Sequence, residues 1–349
     1  MPIRMKDLAE DLGVSVVTIS KVLRDHPDIG KETRERVLKR VKELRYQPNA
    51  TARSLVTGRS YLIGLVVPDL IHPFFAEIAK ALSRVIQKKG YSLIIASSEE
   101  NPLVEEREIE QMMARRLDGL IVASSGSSQE PFRRLQEAKQ PYVLIDRKFA
   151  QFSANFVGTD DVAVGRLATE HLIDVGCKRI AHIRGRNNST GLQRFEGYRQ
   201  ALSKGAHSFS KQYVIQRETV DIQSRQQGAI AMQSLLALNP KPDGVFCYND
   251  PLAIGAMDTI LAAGLSIPGD IAIIGCGNLH YDDALRVPLS SVDQQNAQVG
   301  EAAGKLLLAM LSSKNGRSRP KSIVLEPHLV PRASTARLAP GSRFPNNKN

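Results

Sequence analysis

The sequence predicts an α/β protein in two parts: a small all-helical module at the amino end, then a two-lobed body built on parallel sheets. Three observations lead there. Residues 4–45 carry short amphipathic stretches separated by tight turns. After residue 60, compact apolar runs alternate with helical stretches, the pattern of parallel strands covered on both faces. That alternation is too long for one sheet of about five or six strands, so it divides between two similar lobes.

The helical module comes first. A helix over about Met5–Leu12 leads through Gly13 to a second over about Val16–Leu23, and a third follows over about Lys31–Arg45. Leu8, Ala9, Leu12, Val14, Ile19, Val22, Leu23, Val37, Leu38, Val41 and Leu44 fit one small core. The first two helices carry a helix-turn-helix pattern. Ala9 lets the helices approach, Gly13 sits where the turn wants a positive φ, and Ile19 packs the second helix back. Ser15 is placed to cap that helix, which leaves Val16, Val17, Thr18, Ser20 and Lys21 facing outward.

In the body, strands are expected at Leu62–Val67, Ser92–Ala96, Gly119–Ala123, Tyr142–Ile145, Ile180–Ile183, Tyr213–Gln216, Gly244–Cys247 and Ile271–Gly275. Helical periodicity fills intervals such as Phe74–Lys89, Leu103–Arg116, Val162–Val175, Gln223–Leu238 and Asp250–Ala263. Ligands of such sheets bind at the carboxyl ends of the strands. Here those ends are polar: Asp69, Ser97, Ser124, Asp146, Asp160, Arg184, Asn249-Asp250 and Gly277-Asn278. One more strand-like piece, Ile323–Val330, precedes a tail expected to be disordered from about residue 333.

Composition narrows the partners. Of 349 residues, 42% are apolar, enough for compact cores. The net charge of +11 is uneven: residues 1–60 hold 13 basic and 8 acidic side chains, residues 311–349 hold 8 and 1, and the 250 between hold 26 and 27. Basic ends on a neutral body point to a polyanionic partner. Cys177, Cys247 and Cys276 make neither a disulfide framework nor a thiolate zinc site, and no metal or cofactor is expected. Charges at Arg4, Lys6 and Asp7 stand where a signal peptide needs its apolar run, and no apolar stretch approaches the ~20 residues of a membrane span. The expectation is a soluble cytoplasmic protein with no membrane partner.

Several motifs occur in one order: Lys6-Asp7-Leu8-Ala9, Gly13-Val14-Ser15, Thr18-Ile19-Ser20-Lys21-Val22-Leu23, Thr33-Arg34, Tyr46-Gln47-Pro48-Asn49 and Ala52-Arg53-Ser54-Leu55. Ile63-Gly64-Leu65, Asn249-Asp250-Pro251-Leu252-Ala253-Ile254-Gly255-Ala256 and Pro288-Leu289-Ser290-Ser291-Val292 continue the series. In these the chain resembles the LacI-family transcriptional regulators, over about residues 4–335. The resemblance implies a headpiece at 1–47, a hinge at 48–60, an effector-binding and dimerisation body at 61–335, and a basic, disordered tail at 336–349.

It also implies roles. The second helix enters the major groove of double-stranded DNA, where the positions of Val16, Val17 and Lys21 set operator preference. Valines can pack on thymine methyls and Lys21 can reach guanine or phosphate, although Val16 could instead seal the headpiece core. Thr18 faces the same groove, and Ser15, Thr33 and Arg34 are expected on phosphates. Asn49 begins a two-turn hinge helix, too short to be stable alone. Arg53 would lie along the minor groove or backbone, and Leu55 would wedge into the central step.

The body resembles the periplasmic-binding-protein fold, with a ligand between lobes joined by three crossovers. By that resemblance the first lobe is about 61–159 plus 293–321, and the second about 160–290 plus 324–335. Effector contacts are expected from Phe74, Phe75, Asp146, Arg147, Arg194, Asn249, Asp250, Asn278 and Gln294, with Asp69 and Asp160 weaker. Phe74 and Phe75 could equally be core, and Asp250 could cap a helix. Arg194 is expected to open the second lobe's first helical region after a Gly185–Gly191 loop.

One position departs from the family. Gly277 stands where an effector-binding Asp is usual, which suggests that Asn278, His280, Asp282 or Asp283 substitutes, or that a bulkier sugar or a sugar acid is admitted. The reading is a non-enzymatic, ligand-responsive repressor that binds a palindromic operator as a homodimer and takes a sugar or sugar derivative as effector. No GxSxG, HExxH or post-strand GxGxxG supports catalysis. The proline-bearing tail has no heptads for a coiled coil.

Overall fold

The computed structural model describes residues 3–23, 25–46, 54, 57–126, 128–204, 208–217, 221–313 and 319–337. The chain divides into two compact units, Met1–Ser60 and Tyr61–Asn349. The first contains α1 (Met5–Leu12), α2 (Val16–Leu23) and α3 (Lys31–Glu43). Gly13 ends α1 at φ 64°, in the left-handed region that a side chain would strain. Ser15 Oγ accepts from Thr18 N at 3.0 Å and so caps α2. Leu8, Ala9, Ile19, Val22, Val37 and Tyr46 form the core. Leu38 does not join it and is exposed. The inward stripe of α3 is Val37, Val41 and Leu44, and Leu38 lies about 100° around the helix from Val37.

The second unit holds two six-stranded sheets. In the first lobe, β1 (Leu62–Val67), β3 (Gly119–Val122), β4 (Tyr142–Ile145) and β5 (Phe156–Thr159) lie between edge strands β2 (Ser92–Ser97) and β11 (Ser322–Leu325), all parallel. Alternate residues serve opposite faces. Ile63, Leu65, Ile121, Val143 and Ile145 pack under α4 (Pro73–Gln87) and α11 (Asn296–Ser312). Val66, Leu120, Val122 and Leu144 pack under α5 (Pro102–Ala114) and α6 (Glu130–Glu137).

The second lobe repeats this plan. Its sheet runs β12 (His328–Val330), β10 (Ser290–Asp293), β9 (Ala272–Cys276), β8 (Gly244–Cys247), β6 (Ile180–Arg184), β7 (Val214–Gln216), with only β12 antiparallel. One face is covered by α7 (Asp161–Asp174) and α8 (Ser189–Lys204), the other by α9 (Asp221–Leu236) and α10 (Asp250–Ala262).

Three crossovers join the lobes, after β5, β10 and β11. The stretch expected as one strand, Ile323–Val330, is therefore two strands in different sheets, with Glu326 and Pro327 between them. Residues 333–337, expected within a disordered tail, are instead held in place. Ser334 and Thr335 are buried; Ser334 Oγ donates to Ile273 O at 2.6 Å, and Arg337 reaches the carbonyls of Asp243 at 2.5 Å and Pro268 at 3.0 Å. Residues 338–349 lie outside the described residues.

Helices α7 and α8 touch backbone to backbone. A Cβ on Gly165 would collide with the main chain of Arg194, and one on Gly197 with Val162 O. Gly165→Val should therefore lower stability by about 3 kcal/mol in urea unfolding, the upper range of overpacking. A loss below about 0.5 kcal/mol would mean that the two helices part freely.

Candidate functional site

The carboxyl ends of both sheets meet at a cavity between the lobes with about 40 Å³ of free space. That holds a few waters rather than an organic ligand. The first lobe lines it with Asp69, His72, Phe74, Phe75, Glu100, Asp146 and Arg147. Arg194, Tyr248, Asn249 and Cys276 come from the second, and Gln294 from a crossover.

Helix starts and strand ends set these side chains. His72 caps α4, its Nδ1 accepting from Phe74 N at 3.2 Å. Burial pushes the imidazole down to about 4, with Arg147 and Arg194 adding to the effect, so it is neutral at physiological pH. Phe74 and Phe75 meet edge to face at 5.0 Å and belong to both the cavity wall and the first-lobe core. Asn249 Oδ1 caps α10 by accepting from Leu252 N at 3.0 Å.

The charges are arranged in pairs. Arg147 forks onto Glu100 at 2.7 and 2.8 Å and donates to Ser124 O at 3.1 Å. Burial opposes its charge, but Glu100 offsets this and the pKa is raised. Arg194 gives Nε to Asp161 at 2.8 Å and Nη1 to Tyr248 O at 2.7 Å, with its guanidinium 4.5 Å from the Tyr248 ring centre. Asp146 leaves β4 at φ 63°. Burial pushes its carboxyl up to about 6, and Arg147 pulls in the other direction.

Of the residues expected from sequence, Phe74, Phe75, Asp146, Arg147, Arg194, Asn249 and Gln294 line the cavity, and so does Asp69. Arg194 lies in the second turn of α8, which already begins at Ser189, and α7 precedes it as the lobe's first helix. Asp250 and Asn278 do not line the cavity. Asp250 is buried, accepting from Ser291 Oγ at 2.7 Å and Leu279 N at 3.3 Å. Asn278 accepts from Arg332 at 2.6 Å and donates to Asp293 at 3.3 Å. Asp160 caps α7 through Ala163 N at 3.0 Å, and His280, Asp282 and Asp283 are likewise absent from the lining.

His72, Glu100, Tyr248 and Cys276 were not anticipated. Tyr248 and Cys276 adjoin recognised strand ends, which is the signal that could have found them. Glu100 carries none: it is a buried acid in a loop, paired with an arginine 47 residues away.

In the headpiece unit, Val16 and Val17 are 43% and 61% exposed, so neither seals the core. Thr18 Oγ1 bonds Ser15 Oγ at 2.9 Å, and Lys21 Nζ lies 2.5 Å from Asp28. Thr33 is half-buried; Arg34 pairs with Asp25 and donates to His26 O at 2.6 Å. Asn49, Arg53 and Leu55 lie outside the described residues. Among the described residues no helix is long and apolar enough to cross a membrane, and no cluster of three or more His, Cys, Asp or Glu side chains could hold a metal.

Comparison with known proteins agrees with both halves. Residues 4–49 match the family described as bacterial regulatory proteins, lacI family, and residues 169–335 match a periplasmic binding protein-like domain. The ribose operon repressor of Haemophilus influenzae is 33% identical over 95% of this chain and 98% of its own. The HTH-type transcriptional repressor PurR of Mannheimia succiniciproducens is 31% identical over 96% and 99%. Among solved structures, a transcriptional regulator CelR–cellobiose complex aligns at 27% identity, covering 95% of this chain and 99% of that one, with a TM-score of 0.73. The chain belongs to the lacI family of bacterial regulatory proteins, with a DNA-binding headpiece and an effector-binding body.

Proposed function

We propose that the protein is a repressor that binds a palindromic operator as a homodimer, and that a small, neutral, hydroxyl-rich effector in the interlobe cleft changes its DNA affinity. The observation that carries the effector class is the pairing of charges in the cavity. Both guanidinium groups already face buried carboxylates, Arg147 on Glu100 and Arg194 on Asp161. An anionic ligand would compete with those carboxylates, whereas hydroxyl groups can donate to Asp69 and Asp146 and accept from the arginine forks. Two aromatic edges offer apolar contact to a sugar face. The sugar-acid alternative is thereby disfavoured. Relatives named for ribose and a neighbour holding cellobiose support the same class. These relatives are named as repressors and regulators, which supports a non-enzymatic role in the cytoplasm, where the nucleoid lies.

In the headpiece, the exposure of Val16 and Val17 supports a largely apolar reading surface, with thymine methyls as its targets. Lys21 and Arg34 would exchange Asp28 and Asp25 for phosphate or base acceptors. Ser15, Thr18 and Thr33 would position the helix, and Asn49, Arg53 and Leu55 would form the hinge that senses the effector.

The primary experiment titrates operator binding against neutral sugars, sugar acids and nucleosides. A neutral sugar should shift operator affinity and raise the melting temperature. If no compound does either, the sensor reading fails. Arg194→Lys, which keeps a cation beside Asp161, should weaken effector binding about tenfold, since a single ammonium cannot hold Asp161 and Tyr248 O and also offer the ligand the donor that Nη2 supplies. Effector-free operator affinity should stay within about twofold; an undiminished effector response removes Arg194 from the site.

Leu55→Ala should weaken specific DNA binding by an order of magnitude or more while leaving binding to random DNA near wild type. Equal losses on both would remove the wedge. The protonation of Asp146 supplies a further check. Hydroxyl donors prefer the ionised carboxylate, so binding expels the proton held below a pKa of about 6. Effector affinity should rise with pH by up to ~tenfold per unit until about pH 6 and then level off. A calorimetric profile that is flat from about pH 5 to about pH 7 would exclude Asp146 as acceptor.

A further inference from the structure

We infer that the second lobe carries a second ligand site, in a groove between α8 and β7, that takes a small anion borne on an aromatic body. The groove has about 470 Å³ of free space, within the ~300–1,000 Å³ of small-molecule sites. It shares no lining residue with the effector cavity. Arg194 faces the cavity, while its neighbour Phe195 and Arg199, one turn further along α8, face the groove.

Its charge is one-sided. Arg184, Arg199 and Lys211 line it, and among the described residues no carboxylate does. Arg184 is the informative member. Its Nη2 donates to Asn187 Oδ1 at 2.7 Å, but its Nε is buried with no hydrogen-bond partner. Burial lowers its pKa, with no carboxylate acting against the shift. The Arg147 and Arg194 charges each have a buried acid beside them; among the described residues Arg184 forms no ion pair. The guanidinium is only half-buried, but its buried Nε lacks an acceptor, and an anion in the groove would supply one. Among the described residues the one ion-pair partner of Arg199 is Glu196 at 3.7 Å, a solvent-exposed contact of little weight.

The aromatic half of the ligand follows from Phe209. Its ring is 43% exposed, tilted at 63° to Phe195 with 6.1 Å between centres, and Arg199 lies 5.7 Å from its centre. A single exposed phenylalanine is ordinary. Here it shares the groove with Arg184, whose guanidinium lies 4.7 Å from the Phe195 ring centre. An inorganic anion would satisfy Arg184 and leave Phe209 in water. A neutral arene would cover Phe209 and leave Arg184 uncompensated. An aryl phosphate or aryl carboxylate meets both needs.

The test uses isothermal calorimetry on the full-length protein with phenyl phosphate, benzoate, inorganic phosphate and benzyl alcohol. Phenyl phosphate or benzoate should bind saturably at millimolar concentration or below, and the stronger of the two identifies the head group. Inorganic phosphate and benzyl alcohol should each bind at least about tenfold more weakly. Arg184→Gln combined with Lys211→Gln should cost at least about tenfold. Phe209→Ser, a surface change that leaves the charges in place, should weaken the aryl anions several-fold without affecting inorganic phosphate. Failure of both aryl anions to bind the wild type overturns the proposal. So does binding that is unchanged in Phe209→Ser and in the double variant, or inorganic phosphate binding as tightly as phenyl phosphate.

Discussion

Two guanidinium groups, Arg147 and Arg194, are held charged in a space that admits only a few waters, and the geometry of the cleft answers to that constraint. An isolated charge at this depth would cost several kcal/mol, so each needs an acid in hydrogen-bonding geometry. Arg194 finds Asp161 because α7 and α8 approach backbone to backbone at Gly165, bringing the first residue of one helix beside the second turn of the other. Arg147 finds Glu100, which also faces Arg186 of the second lobe at 3.8 Å. A nearby link, Lys148 N to Ser189 Oγ at 3.1 Å, crosses the same gap. Each close pair therefore forms inside its own lobe, and only the longer Glu100–Arg186 contact and the Lys148–Ser189 hydrogen bond span the gap. Charge compensation in the cleft thus does not depend on the contact between the lobes.

The crossovers tie the lobes together as well. Thr159 donates to Gln294 O at 2.7 Å, and the Gln295 side chain donates to Glu326 O, so the three connecting segments are bonded in series. Gln294 is both a wall of the cavity and a part of this seam, and its Oε1 accepts from the Cys276 thiol at 3.2 Å. Gln294 thus links the cavity wall directly to the segments that join the lobes.

Legibility in the sequence followed burial. Strands covered on both faces, such as Leu62–Val67, Tyr142–Ile145 and Gly244–Cys247, are continuous apolar runs, and their observed limits match those expected from sequence. At the sheet edges β11 and β12 present half-exposed, alternating residues, and nothing in Ile323–Val330 says that two sheets share it. The strand β5, Phe-Val-Gly-Thr, has too few apolar residues to stand out. In the cleft, residues at strand ends and in known motifs were readable. Glu100 was not, because its role comes from an arginine 47 residues away, and His72 was not, because its place in the wall comes from tertiary burial. The partners of Asn278 were hidden for a related reason: its amide bonds Arg332 and Asp293, neither of them a sequence neighbour.

The glycine at 277 is explained by the acid beside it. A Cβ at this position would start 2.7 Å from Asp250 Oδ2, and one on Gly275 would collide with Asp250 Oδ1. The two glycines leave room for a single buried carboxylate. It is held by the Ser291 hydroxyl and the Leu279 amide, and that amide also donates to Asp282 Oδ2 at 2.8 Å. Two carboxyl groups on one N–H cannot both ionise without strong repulsion. Burial, and next to it the Asp250 charge, push the Asp282 carboxyl up, so Asp282 keeps its proton; its Oδ1 finds no hydrogen-bond donor. An Asp at 277 would bring a third carboxyl into this pair and force its backbone, at φ 139°, into a conformation that favours glycine. Losing the usual acid there therefore does not open the cleft to a larger ligand. The space is taken by a carboxyl pair that holds the strand ends together.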